Sequence, residues 1–257
     1  MENATLTLAL SDFLPSLLYL AGGFFLVRIL RAINERELAG MFMAGTAFAA
    51  FAGFAKAASK LADAIAVRPV TESGFLYDQM FPSMAVGFLA TGVAIILGAR
   101  RFSGRDSAGE RTRFAEAASW LSPLAAGLFL GLSYALVMAA NAHAELRPHF
   151  LDIKRFSMLA MIFLQLATMG ILAWFCFREG ARLGGSLAIL SIVAMLLMGA
   201  LGSGSMQARF QDRILMNWID QSVNIVAQGA YLCASLALWS RARAGKMAAA
   251  GKRRVAA

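Results

Sequence analysis

This sequence predicts an all-α integral membrane protein, a seven-transmembrane helix bundle, and three observations carry the prediction. Seven long apolar stretches take up most of its 257 residues. Hydrophobic residues make up 59% of the chain and charged residues only 15%, well below the ordinary soluble share. Lys and Arg gather on alternate connections between the stretches. A hydrocarbon core roughly 30 Å thick needs about 20 residues of helix to cross it. Backbone groups in lipid must be satisfied inside each segment, and segments this long suit helices rather than barrel strands.

Taken in order, the spans are read at 13–30, 39–62, 76–99, 117–141, 156–177, 184–205 and 216–240. No Lys or Arg precedes Phe13, so the first span lacks the basic flank of a cleaved signal peptide. The second carries Gly45, Ala49, Gly53 and Ala57 at intervals of four, a small-residue stripe that lets another helix come close. Its far end holds Lys56, Ser59, Lys60 and Asp63 at helical spacing. The third opens with Asp78 and Gln79, then Pro82 and Ser83. A connection over 100–116, with Ser103, Gly104, Ser107 and Gly109, leads to the fourth span. That span repeats the small-residue stripe at Gly127, Gly131, Ala135 and Ala139, and ends on Asn141. The fifth contains Gln165. The seventh carries Asn217, Asp220, Gln221, Asn224 and Gln228, which steps of three and four place on one face. No connection is long enough to bury a separate core, so residues 1–257 read as a single membrane domain.

Charge sets the expected orientation. The connections on one side of the membrane hold sixteen of the Lys and Arg residues and those on the other hold eight. The richer side faces the cytoplasm by the positive-inside rule, which predicts N-outside and C-inside in a cell (inner) membrane. The net charge of +9 is therefore read as cytoplasmic anchoring against membrane lipids, with no nucleic-acid partner.

Sliding the chain by 142 positions lays the first three spans on the last three without a gap. Arg36-Glu37 falls on Arg178-Glu179, and Asp78-Gln79 on Asp220-Gln221. Both halves begin outside, so the expectation is a 3+1+3 parallel internal repeat: 13–99, a linker helix at 117–141, and 156–240. Transporters use this layout.

Polar side chains at bilayer depth mark candidate sites. The ligand- or ion-binding candidates are Asp220, Gln221, Asn224, Gln228, Asp78, Gln79, Lys56 and Lys60. Topology puts them towards one boundary, so Lys56 or Lys60 is expected to pair with Asp78 or Asp220 across an outward-facing vestibule. The bland alternative has the lysines snorkelling to headgroups and the amides acting as interhelical glue.

Several chemistries are excluded. Cys176 and Cys233 both lie within spans, which rules out a disulfide framework or a Cys-based zinc site. His143 and His149 share the fourth connection with Glu145 and Asp152, a loose set that reads as polar surface before it reads as a metal site; no histidine lies inside a span to hold haem. A retinal Schiff base needs a lysine in the last span, which offers Asn224 instead, and the Pro-Gln dipeptide of small sugar transporters is missing. No serine has a base beside it. No cofactor and no catalytic group is expected. The leading functional expectation is a carrier for a small polar solute or ion. Beside it stand a seven-helix receptor and a non-catalytic subunit that docks a second copy or another membrane protein.

Overall fold

The computed structural model describes residues 6–32, 36–67, 75–102, 142–201 and 213–255, with isolated positions between 128 and 139. The described residues form helices joined by short turns, with no strand among them. We label the helices α1 (Leu6–Ser11), α2 (Phe13–Ala32), α3 (Arg36–Ile65), α4 (Phe75–Asp78), α5 (Met80–Phe102), α6 (Arg147–Arg178), α7 (Arg182–Leu201) and α8 (Arg213–Val255).

Two breaks share one cause. Pro15 has no N–H to give the carbonyl of Ser11, and the helix steps at Asp12 between α1 and α2. Pro82 likewise has none for the carbonyl of Asp78, and the chain turns at Gln79 between α4 and α5. A third proline, Pro148, sits in the first turn of α6, where its missing donor costs nothing. Helix α6 therefore starts at Arg147, nine residues before the fifth span was expected, and takes in Lys154 and Arg155.

Six stretches are long and apolar enough to cross a membrane: Leu6–Ala32, Arg36–Ile65, Leu76–Gly98, Arg147–Arg178, Arg182–Leu201 and Leu215–Ala244. They mark a multi-pass membrane protein and correspond to the expected spans one to three and five to seven. The expected fourth span, with Gly127 and Asn141, lies largely outside the described residues. So do the connection over 103–116 and the serines near 203. Helices α5 and α6 run parallel, with Asp78 beside Lys154 and Gly92 beside Thr168.

The six long helices pack as a ring in chain order, α2 on α3, α3 on α5, α5 on α6, α6 on α7, α7 on α8, and α8 back on α2. Glycine sets each joint. A Cβ at Gly23 would strike Thr46, and one at Gly45 would lie 2.6 Å from the carbonyl oxygen of Gly87. Gly92 faces Thr168, Gly184 faces both Cys176 and the Ala234 carbonyl, and Gly22 faces the Tyr231 ring. The α3 stripe thus works inside the bundle: Gly45 and Ala49 meet α5, and Gly53 meets Ser16 of α2. On the expected fourth span the described members Gly131 and Ala135 are exposed and Ala139 is half-buried. The turn from α6 to α7 closes by Gly180 at φ +74°, with the Gly180 and Ala181 amides donating to Phe177 and Cys176.

Candidate ligand site

Asp12, Asp78 and Asp220 stand near the starts of three chain segments that set out from the same end of the ring, and Lys60 near the end of a helix arriving there. Asp12 ends the α1 step and turns towards α3, where its Oδ2 lies 2.6 Å from Lys60 Nζ. Both side chains are more than nine-tenths buried. A buried charge without a partner is costly, so this pair holds α2 and α3 together at that end. Lys56 and Asp220 are the other charges acting on Lys60. One interface along, Asp78 of α4 accepts from Lys154 Nζ of α6 at 3.1 Å. The same ammonium lies 5.0 Å from the Tyr77 ring and 5.8 Å from the Phe81 ring. A cation there has one carboxylate and two aromatic faces.

Acid and lysine alternate from Asp12, just before α2, through Lys60 on α3 and Asp78 on α4 to Lys154 on α6; past α7, Asp220 stands on α8, the helix that closes the ring against α2. The sequence sought a partner for Lys60 at Asp78 or Asp220. Its direct partner is Asp12, which fell one residue outside the first expected span. Asp78 pairs instead with Lys154, which was counted as a loop cation. An acid three residues ahead of a proline at the head of an apolar run was the available signal for Asp12, since a charge at a proline break beside a span calls for a cation from a neighbouring helix. For Lys154 the signal was Pro148, which opens a helix six residues earlier.

The α8 stripe divides. Gln221 is buried and donates from Nε2 to the Ser11 carbonyl at 2.6 Å, so it ties α8 to α1. Asp220 and Asn224 are half-buried. Gln228 is buried; its Nε2 reaches Asn224 Oδ1 at 3.4 Å, and its Oε1 has no hydrogen-bond partner. These residues precede Tyr231 on the face that brings Tyr231 against Tyr19. Gln79 is buried with Nε2 unpartnered, and Ser83, one turn on, bonds the Tyr134 hydroxyl at 2.6 Å. Lys56 is half-buried, and Gln165 is buried.

Deeper in the ring the polar layer gives way to a packed plug. Tyr19 stacks on Tyr231 with ring centroids 5.2 Å apart and meets Phe88 edge-on at 5.5 Å. Its hydroxyl faces those of Thr46 and Thr91 and can donate to one of them, since each threonine donates its own proton to a carbonyl of its own helix. Leu26, Leu30, Leu172 and Ile95 extend this packing towards the other end.

Both histidines are exposed, and among the described residues no group of three His, Cys, Asp or Glu could hold a metal ion. What the described residues offer chemically is ion pairing and hydrogen bonding. Comparison with protein-family models, curated proteins and solved structures finds no match to this chain.

Proposed function

We propose that this protein is a carrier for a small polar solute or ion, with the charges at one end of the ring as its outward-facing site and the Tyr19–Tyr231 layer as the closed gate beneath. The observation that carries the reading is the concentration of charge at one end of a closed ring. A buried ion pair, a second pair with a half-buried lysine and a third acid at one end cost more stability than a merely structural bundle needs to spend. In the same reading residues 117–141 form a seventh crossing, the N-terminus lies outside, and the halves 13–99 and 156–240 are parallel repeats. The ring order supports that symmetry, since α2–α3–α5 and α6–α7–α8 are equivalent runs joined twice. Any ring in chain order has that property, so the register of Asp78 with Asp220 is the stronger argument.

The test is reconstitution of the full chain into liposomes with a panel of labelled polar solutes. Uptake is expected for one class, and Asp220→Asn should abolish it while leaving insertion and folding intact. Uptake that survives Asp220→Asn would overturn the site.

One observation favours a second reading. The Gln221 bond to Ser11 is interhelical glue of the kind a scaffold subunit uses. If no solute crosses and the chain co-purifies with a membrane partner, that reading replaces the carrier.

A further inference from the structure

At the corner of the ring shared by α2, α3 and α8, Asp12, Asp220 and Lys56 are the charges acting on Lys60, so two acids and two lysines balance there, with Asp63 one turn further along α3. It also holds unused hydrogen-bond capacity of one kind. Asp12 Oδ1 has no hydrogen-bond partner although the side chain is only 3% exposed. Gln228 Oε1, about two turns further along α8 than Gln221, is buried and unpartnered too. Both are acceptors, and buried acceptors in native proteins are nearly always filled. What is missing at this corner is a donor.

From this we infer that the ligand of the site is a small zwitterion with a protonated amine, a free amino acid of no net side-chain charge. The inference rests on the reading of this end of the ring as a ligand site, and names what that site takes. The ligand's ammonium donates to Asp12 Oδ1 and faces Asp220. Its carboxylate takes the Lys60 ammonium that Asp12 gives up, with Lys56 beside it. Every charge keeps a partner through the exchange, and the corner stays neutral. A solute with one net charge would leave one charge uncompensated inside the bundle, which the low dielectric there penalises. The N–H groups matter as much as the charge. A quaternary ammonium carries the same charge but can fill neither Asp12 Oδ1 nor Gln228 Oε1. Gln228 then offers the amine a second acceptor on the way to the Tyr19–Tyr231 gate.

The experiment is thermal-shift and calorimetric titration of the full chain in lipid nanodiscs with the twenty common amino acids, glycine betaine, methylammonium and acetate. At least one neutral amino acid should bind saturably. Its N-trimethyl form, and methylammonium or acetate alone, should bind at least tenfold more weakly. The double variant Asp12→Asn/Lys60→Gln leaves no unpaired charge from this pair and should still fold while losing affinity at least tenfold. Absence of binding by all twenty, equal binding of the N-trimethyl form, or unchanged affinity in the folded double variant would each overturn the inference. Binding without uptake in liposomes sinks the carrier reading and leaves this one standing. Uptake of a net-charged solute with no amino acid binding does the reverse.

Discussion

Gln221 supplies Ser11 with the hydrogen-bond donor that the local backbone withholds. Its Nε2 lies 2.6 Å from the Ser11 carbonyl oxygen, and the residue whose amide would ordinarily take that carbonyl is Pro15. A break in the first helix and a side chain in the last are thus two halves of one hydrogen-bond account. Gln221→Ala should cost about 1–3 kcal/mol, the usual range for stranding a buried acceptor. Pro15→Ala restores an amide, so in that background the same substitution should cost roughly half as much or less. Unfolding in detergent of the four proteins of this cycle measures the coupling; additivity would show that the carbonyl is satisfied in some other way.

The Asp12–Lys60 pair should behave as buried pairs do. Removing one partner by Asp12→Ala or Lys60→Met strands a charge and should cost about 3–5 kcal/mol. Replacing both, as Asp12→Leu/Lys60→Met, should cost less than either single change. Melting temperatures of the three variants decide the matter, and a double variant as unstable as the sum would point to snorkelling lysines with separate roles.

Glycines at the ring joints should be intolerant and those facing outwards should not. A Cβ on Gly45 or Gly87 meets backbone atoms of the opposite helix at 2.6–2.7 Å. Gly45→Ala and Gly87→Ala should therefore each destabilise by about 1–3 kcal/mol as α3 and α5 are forced apart. Gly229 has open space around its Cβ position, so Gly229→Ala should be neutral or stabilise by up to about 1 kcal/mol through helix propensity. Equal effects at the three sites would contradict the ring packing.

Orientation is checked independently. A reporter fused after Ala257 should behave as cytoplasmic, given the sixteen-to-eight division of Lys and Arg. Activity of an exported-only reporter at that position would reverse the bundle.

Apolar length located six helices to within a few residues at most ends, because hydropathy reports the solvent directly. It failed at the start of α6, where Arg147, Lys154 and Arg155 give the pattern of a connection; a charged turn stays helical when Pro148 opens it and Asp78 neutralises its one lysine. The candidate residues on α8 were legible as a face because helical spacing is a local property. Their partners were not. Which acid meets Lys60 depends on ring order and on a proline step, and neither is written in the periodicity of any one segment. Tyr19 and Tyr231 carry no local signal of their contact, which exists only because the last helix closes on the first.

Closure of the ring by its last member has a consequence for biogenesis. The first two spans can join as soon as both leave the ribosome, since Asp12 and Lys60 lie within them. The seam between α2 and α8 cannot exist until synthesis passes residue 231. A nascent chain arrested before Arg213 presents the Tyr19 and Gly22 faces of α2 and the Ser11 carbonyl to lipid, with no Gln221 or Tyr231 to cover them. Such a chain inserts but stays unsealed, so frameshifts and stop codons late in the gene should be cleared by membrane quality control as readily as early ones.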